Sequence, residues 1–169
     1  MRFLPKRAGW LILPLLIALA AFATKPNPVF APVASDSSLI RPLTPDERVL
    51  RVNRYFAERN MPLEVFGDKF AEAADRCDMD WRLLPAIAVR ESSGGKQACG
   101  NNPFGWASCR VDFESAEKAI EIVGANLCGF NPRTEVYYKG KTIYEILWNY
   151  NGIVNPKYPE EVIAAMNRF

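Results

Sequence analysis

Glu91 is the residue whose position first suggests chemistry. Successive helical residues turn by about 100°, so Leu84, Ile87 and Ala88 share one face and Glu91 falls on its centre. A carboxylic acid in line with core-facing residues has its charged form penalised, which raises its pKa and lets it protonate a leaving oxygen near neutral pH. Gly94 and Gly95 follow one turn later and let the chain turn away, opening a cleft mouth at the helix end. The plainer reading makes Glu91 the ion-pair partner of Arg76, Arg82 or Arg90. Cleavage of a glycosidic bond needs such an acid and no histidine. It also wants flat surfaces against sugar rings, for which Phe104, Trp106, Tyr150 and Tyr158 are candidates. Core packing competes for each ring, most strongly for Phe104.

Histidine is absent from all 169 residues. That excludes Ser-His-Asp and Cys-His hydrolases and histidine-ligated zinc, so carboxylates, tyrosines or a lysine must carry any catalysis. Arg2, Lys6 and Arg7 are the only charges in residues 1–23; removing them from the 21 basic side chains leaves 18 against 19 acidic, a net of −1. No basic field remains for gripping a phosphate backbone, so nucleic acid is not an expected partner.

Residues 1–23 combine that basic start with an apolar run from Gly9 to Ala23, ending in Ala21-Phe22-Ala23. The pattern predicts a signal peptide, or alternatively an uncleaved N-terminal membrane anchor; either places the rest of the chain, periplasmic or secreted, outside the cytoplasm. Residues 24–44 are rich in proline and serine and read as an extended linker. All four cysteines lie beyond it, an even number with no C-x-x-C pair, which favours two disulfides over a metal site. Cys99 and Cys109 flank the loop 101–108 and are expected to pair, leaving Cys77 with Cys128.

The elements that must hold Glu91 are helical, in a domain spanning residues 45–169. Thr44-Pro45-Asp46-Glu47 is a capping box, with Val49, Val52 and Phe56 on one face of the helix it starts. A second helix is expected over about residues 64–77, turning Phe66, Phe70 and Ala73 inward. The third runs from Trp81 to Ser92, with Asp80 as cap and its regular part from about Leu84, since Pro85 belongs near a helix start. Gly94, Gly95, Gly100 and Gly105 then form a loop, with a short hairpin expected around Trp106 and Val111. Ser115 caps a fourth helix with the stripe Ala119, Ile120, Val123 and Leu127. Thr142-Ile143-Tyr144-Glu145 opens a short fifth, and Tyr158-Pro159-Glu160 the last. This predicts an α+β class domain, predominantly α-helical, of about six helices.

The run Trp81–Lys96, with Glu91-Ser92-Ser93-Gly94-Gly95 at its end, resembles the helix and Glu-Ser-x-x-Gly turn of lysozyme-like peptidoglycan hydrolases. Asn101-Asn102-Pro103-Phe104-Gly105-Trp106 is similar to the Asn-x-Phe-Gly motif of the glucosaminidase family, the mannosyl-glycoprotein endo-β-N-acetylglucosaminidase-like enzymes. Phe113, Ser115, Ala119 and Ile120 resemble its next helix start. Tyr150-Asn151-Gly152 with Tyr158 and Val162 resembles its closing tyrosine segment, shared in outline with lytic transglycosylases. The chain departs from the family in placing Asn155 before Pro156, where many members carry an acid, and in an apparent insertion after Tyr150.

The resemblance implies a lysozyme-like fold with a small hairpin or loop, Glu91 as catalytic acid, and cleavage of β-1,4 bonds between N-acetylglucosamine and N-acetylmuramic acid in peptidoglycan. It places Ser92, Asn102, Phe104, Trp106, Tyr150, Asn151 and Tyr158 at the substrate. A monomer with no metal or cofactor is expected. Asp112, Glu114 and Glu135 are loop candidates for a second acid, but none sits in a motif. With one carboxylate, the substrate's 2-acetamido oxygen or muramic 6-hydroxyl could supply the nucleophile. A lytic transglycosylase and a catalytically inactive glycan-binding module therefore stand as alternatives.

Overall fold

The structure is a computed structural model and describes residues 43–169. The expected leader, and the linker up to residue 42, lie outside the described residues.

Helix α1 (Pro45–Ala57) begins as its sequence dictates. The Thr44 hydroxyl accepts from the Glu47 N–H at 3.3 Å, and the Glu47 carboxylate accepts from the Thr44 N–H at 2.7 Å. Val52, Tyr55 and Phe56 turn inward onto α2 (Gly67–Asp75). The two helices meet at Gly67, where a Cβ would stand 2.5 Å from Asn53 Oδ1 and 2.6 Å from the Val49 carbonyl. That contact, and the Gly67 N–H bond to Asn53 at 2.8 Å, start α2 later than the expected residue 64.

Helix α3 (Leu83–Ser92) is the centre of the domain. Leu83, Leu84, Ala86, Ile87 and Ala88 are all buried, so it is enclosed on several sides rather than along one stripe. It packs chiefly on α7 (Tyr158–Met166). Helix α4 (Ala116–Leu127) is capped by the Ser115 hydroxyl, which accepts from the Lys118 N–H at 3.1 Å, and packs on α2. A four-residue helix α5 (Glu135–Tyr138) follows. The second capping box then starts α6 (Ile143–Leu147), which runs directly into a π turn, Trp148–Gly152. Two disulfides close the frame with the expected pairing: Cys77–Cys128 joins the ends of α2 and α4, and Cys99–Cys109 closes the loop after α3.

The described residues are mostly α-helical, with seven α-helices where about six were expected; the extra one is α5. The hairpin expected around Trp106 and Val111 is absent. That stretch holds a 3-10 turn, Trp106–Cys109, and the one isolated bridge nearby joins Cys99 to Asn102. Gly105, Ala107, Ser108 and Cys109 have φ between 54° and 60°, a left-handed backbone that cannot continue as a strand. No helix among the described residues is long and apolar enough to cross a membrane.

Candidate active site

The end of α3 is built to release the chain. Ser93 adopts the left-handed conformation as C-cap, its N–H bonding Val89 O at 3.0 Å while the Gly94 N–H reaches Ala88 O at 3.0 Å. At Gly94, φ is +66° and a Cβ would lie 2.5 Å from Met61 Sδ, so only glycine fits that turn. The following loop is brought back over Glu91 by three buried or half-buried side chains. The Ser92 hydroxyl sits 2.7 Å from Pro103 O and 3.1 Å from Ala88 O, and accepts the Gly95 N–H at 2.9 Å. Asn102 Nδ2 donates to Trp106 O at 3.0 Å and Val111 O at 2.9 Å, while its Oδ1 accepts the Trp106 N–H at 3.0 Å. The Tyr150 hydroxyl donates to Phe104 O at 2.6 Å. These bonds carry Gly105 onto the carboxylate, where a Cβ would come within 3.2 Å of Glu91 Oε2.

Glu91 itself is half-buried. Burial is the main cause that raises its pKa above the ordinary glutamate range; the Tyr158 hydroxyl and the Arg90 charge oppose the rise without cancelling it. The Tyr158 hydroxyl faces the acid but stops short of hydrogen-bond geometry, and Glu91 Oε1 and that hydroxyl are both buried without a partner. Every arginine considered as an ion-pair partner is engaged elsewhere: Arg76 with Glu121 at 3.6 Å, Arg82 with Asp80 at 2.6 Å, Arg90 with Glu161 at 2.8 Å. The Glu91 charge acts on its neighbours in turn. Burial first, and that charge second, push the Tyr150 and Tyr158 hydroxyls far above the usual tyrosine range. Burial also lifts Tyr138 to about 12. All three phenols therefore stay protonated as neutral donors.

Glu91 opens into a cleft of about 620 Å³. It is lined by Gly105–Ser108, by Thr134, Tyr137 and Tyr138, and by Asn149–Asn151. Trp106 leans on Tyr150 with ring centroids 5.7 Å apart and on Tyr138 at 6.3 Å. Two further hollows share lining residues with this cleft. Trp106 and Thr134 also line a hollow of about 480 Å³, and Asn149 one of about 500 Å³.

Of the residues expected at the substrate, Trp106, Tyr150 and Asn151 line this cleft beside Glu91. Ser92, Asn102, Phe104 and Tyr158 do not, because a ligand cannot touch what is sealed from solvent. Ser92 and Asn102 staple the loop. Phe104 meets Phe70 edge-on in the core at 6.5 Å. Tyr158 stacks beneath Tyr150 at 5.9 Å, 3° from parallel. The sequence reading missed Ala107, Ser108, Thr134, Tyr137, Tyr138 and Asn149. The Tyr137-Tyr138 pair was the one visible signal, since adjacent aromatics cannot both face one core.

Among the described residues Glu91 is the only acid lining the cleft. Asp112, which accepts the Asn101 N–H at 3.1 Å, and Glu114 line the adjoining hollow instead, and Glu135 is paired with Lys139. The cysteines are all in disulfides, and no described group of three or more cysteine, aspartate or glutamate side chains is placed to hold a metal. Compared with family models, curated proteins and solved structures, the chain matches none of them.

Proposed function

We propose that this domain is an extracytoplasmic glycosidase of lysozyme-like type that cuts β-1,4 bonds between N-acetylated sugars of peptidoglycan, with Glu91 as its general acid. One observation carries the reading: a half-buried carboxylate with no ion-pair partner faces an open aromatic cleft whose walls supply no other acid. A structural glutamate in that position would have taken neighbouring Arg90, which pairs instead with Glu161. The two disulfides fit an oxidising compartment. The Glu-Ser-x-x-Gly and Asn-x-Phe-Gly motifs support the substrate class.

In this reading protonated Glu91 gives its proton to the glycosidic oxygen as the C–O bond to the anomeric carbon breaks. The carboxylate then takes a proton from the attacking water, returning to the acid form. Trp106 and Tyr150 line the cleft with Glu91 as aromatic surface for a sugar, and Asn149 and Asn151 offer amides for hydroxyl or acetamido groups. The lone carboxylate favours one further reading, in which the muramic 6-hydroxyl attacks instead of water and the product is an anhydro sugar. Mass analysis of borohydride-reduced digests decides between them: hydrolysis gives reducible ends, transglycosylation gives fragments that borohydride leaves unchanged. A digest with neither product, from folded protein on purified peptidoglycan, would reject both.

A further inference from the structure

Two rings just beyond the cleft are left out of that account. Tyr144 on α6 and Trp148 at the head of the π turn are one helical turn apart, with ring planes 13° from parallel and centroids 6.4 Å apart. Both are exposed, at 44% and 38%. Neighbouring aromatic faces left in water forgo the gain from burial, and such patches mark binding surfaces.

The pair is also held rigid. The Tyr144 hydroxyl donates to Glu160 Oε1 at 3.3 Å, and the capping box at Thr142 fixes the helix that carries the ring. The indole lies flat against Gly152, where a Cβ would stand 2.8 Å from Trp148 Cε3; no larger residue would let it rest there. This explains the glycine of the Tyr150-Asn151-Gly152 segment, which lies outside the cleft lining.

We propose that Tyr144 and Trp148 form a stacking platform for a sugar unit of the same glycan strand, away from the bond held at Glu91. The inference rests on the reading of the cleft as a glycan site. A lining residue shared with the cleft identifies the occupant. The rings, Lys141, Glu145 and Asn149 enclose the hollow of about 500 Å³, and Asn149 lines the Glu91 cleft as well. Its amide donates to Tyr137 O at 2.6 Å, which fixes it at the junction. The electron-rich faces of aromatic rings attract the C–H faces of pyranoses, and the polar rim suits hydroxyl and acetamido groups. Long strands would reach both places; short oligosaccharides would fill the cleft alone.

Retention on insoluble peptidoglycan, measured in the Glu91→Gln background, tests this without turnover. Tyr144→Leu and Trp148→Leu keep apolar bulk but remove the flat faces. Each should weaken retention about tenfold, equivalent to 1.4 kcal/mol, with unchanged near-UV circular dichroism, whereas Trp148→Phe should retain most of the binding. On a short N-acetylglucosamine oligomer, the same leucine changes in the otherwise unaltered protein should leave turnover unaffected. Retention equal to the Glu91→Gln protein in both leucine variants would overturn the platform. So would a dimer that dissociates on Trp148→Leu, which would assign the rings to a second copy. A protein that binds the glycan through these rings but never cleaves it would sink the catalytic reading and leave the platform standing. One that does not bind at all would sink the platform.

Discussion

Replacing Asn102 with alanine separates a loop staple from a substrate contact. Its side chain is fully buried and makes three bonds of 2.9–3.0 Å, to the N–H and C=O of Trp106 and the C=O of Val111. Alanine strands all three backbone groups. Leaving a buried polar group unsatisfied costs about 1–3 kcal/mol, and neighbouring losses share some relaxation, so the total should be about 3 kcal/mol. For a domain of this size that corresponds to a fall of roughly 10 °C in Tm. Because Trp106 loses its anchor, kcat should fall even where the protein is fully folded. Asn102→Asp adds a test with a definite sign. Its carboxylate would face two carbonyl oxygens, raising its folded pKa above the unfolded value of about 3.9. Its stability should therefore approach the parent's in acid and be lost as pH rises through the folded pKa. Differential scanning calorimetry from acid to neutral pH reads both effects. An Asn102→Ala protein with the parent's Tm and only a raised KM would show that Asn102 touches substrate and that its burial is misjudged.

Other consequences follow from the same contacts. Burial raises the folded pKa of Glu91, so its contribution to stability is complete below the unfolded value of about 4.3 and is lost as pH rises through the folded value. Glu91→Gln should consequently melt higher than the parent at neutral pH and lose that advantage in acid; a lower Tm at neutral pH would restore the ion-pair reading. Arg90→Gln removes the charge that lowers the Glu91 pKa, so the alkaline limb of the kcat/KM profile should move to higher pH, and an unmoved limb would disconnect Glu91 from the acid step. In the chain-entropy picture the Cys77–Cys128 bridge contributes about 4 kcal/mol and Cys99–Cys109 about 3. Thermal melts of the paired serine variants should follow that order, but turnover at a permissive temperature should fall only for Cys99→Ser/Cys109→Ser, which releases the left-handed Ala107–Cys109 lip of the cleft.

The helices legible in the sequence were those with local punctuation. Thr44, Ser115 and Thr142 announced their helices because a cap is a contact between residues three apart, and the stripe on α4 set its buried face. Helix α5 was invisible: four residues carry no periodicity, and Val136 and Tyr137 are exposed while Tyr138 alone is buried. The hairpin failed for a backbone reason, since left-handed conformations at Ala107, Ser108 and Cys109 are not favoured by their residue types and arise where disulfide and Asn102 hold the loop. Glu91 stood out because a charge on an apolar face is anomalous wherever it occurs. Its neighbours were harder to sort. A motif shows that Ser92, Asn102, Phe104 and Tyr158 are suited to one place, but a side chain that shapes a loop and one that touches a ligand leave the same trace until burial is known.

Turnover of purified peptidoglycan by Glu91→Gln tests the central claim most directly. Glutamine keeps the size and hydrogen-bonding capacity of the side chain but cannot deliver a proton. General acid catalysis is worth about 10²–10⁴-fold, so the rate should fall at least a hundredfold while circular dichroism and glycan retention stay at the parent's values. A folded Glu91→Gln protein that clears peptidoglycan at the parent's rate would contradict the account.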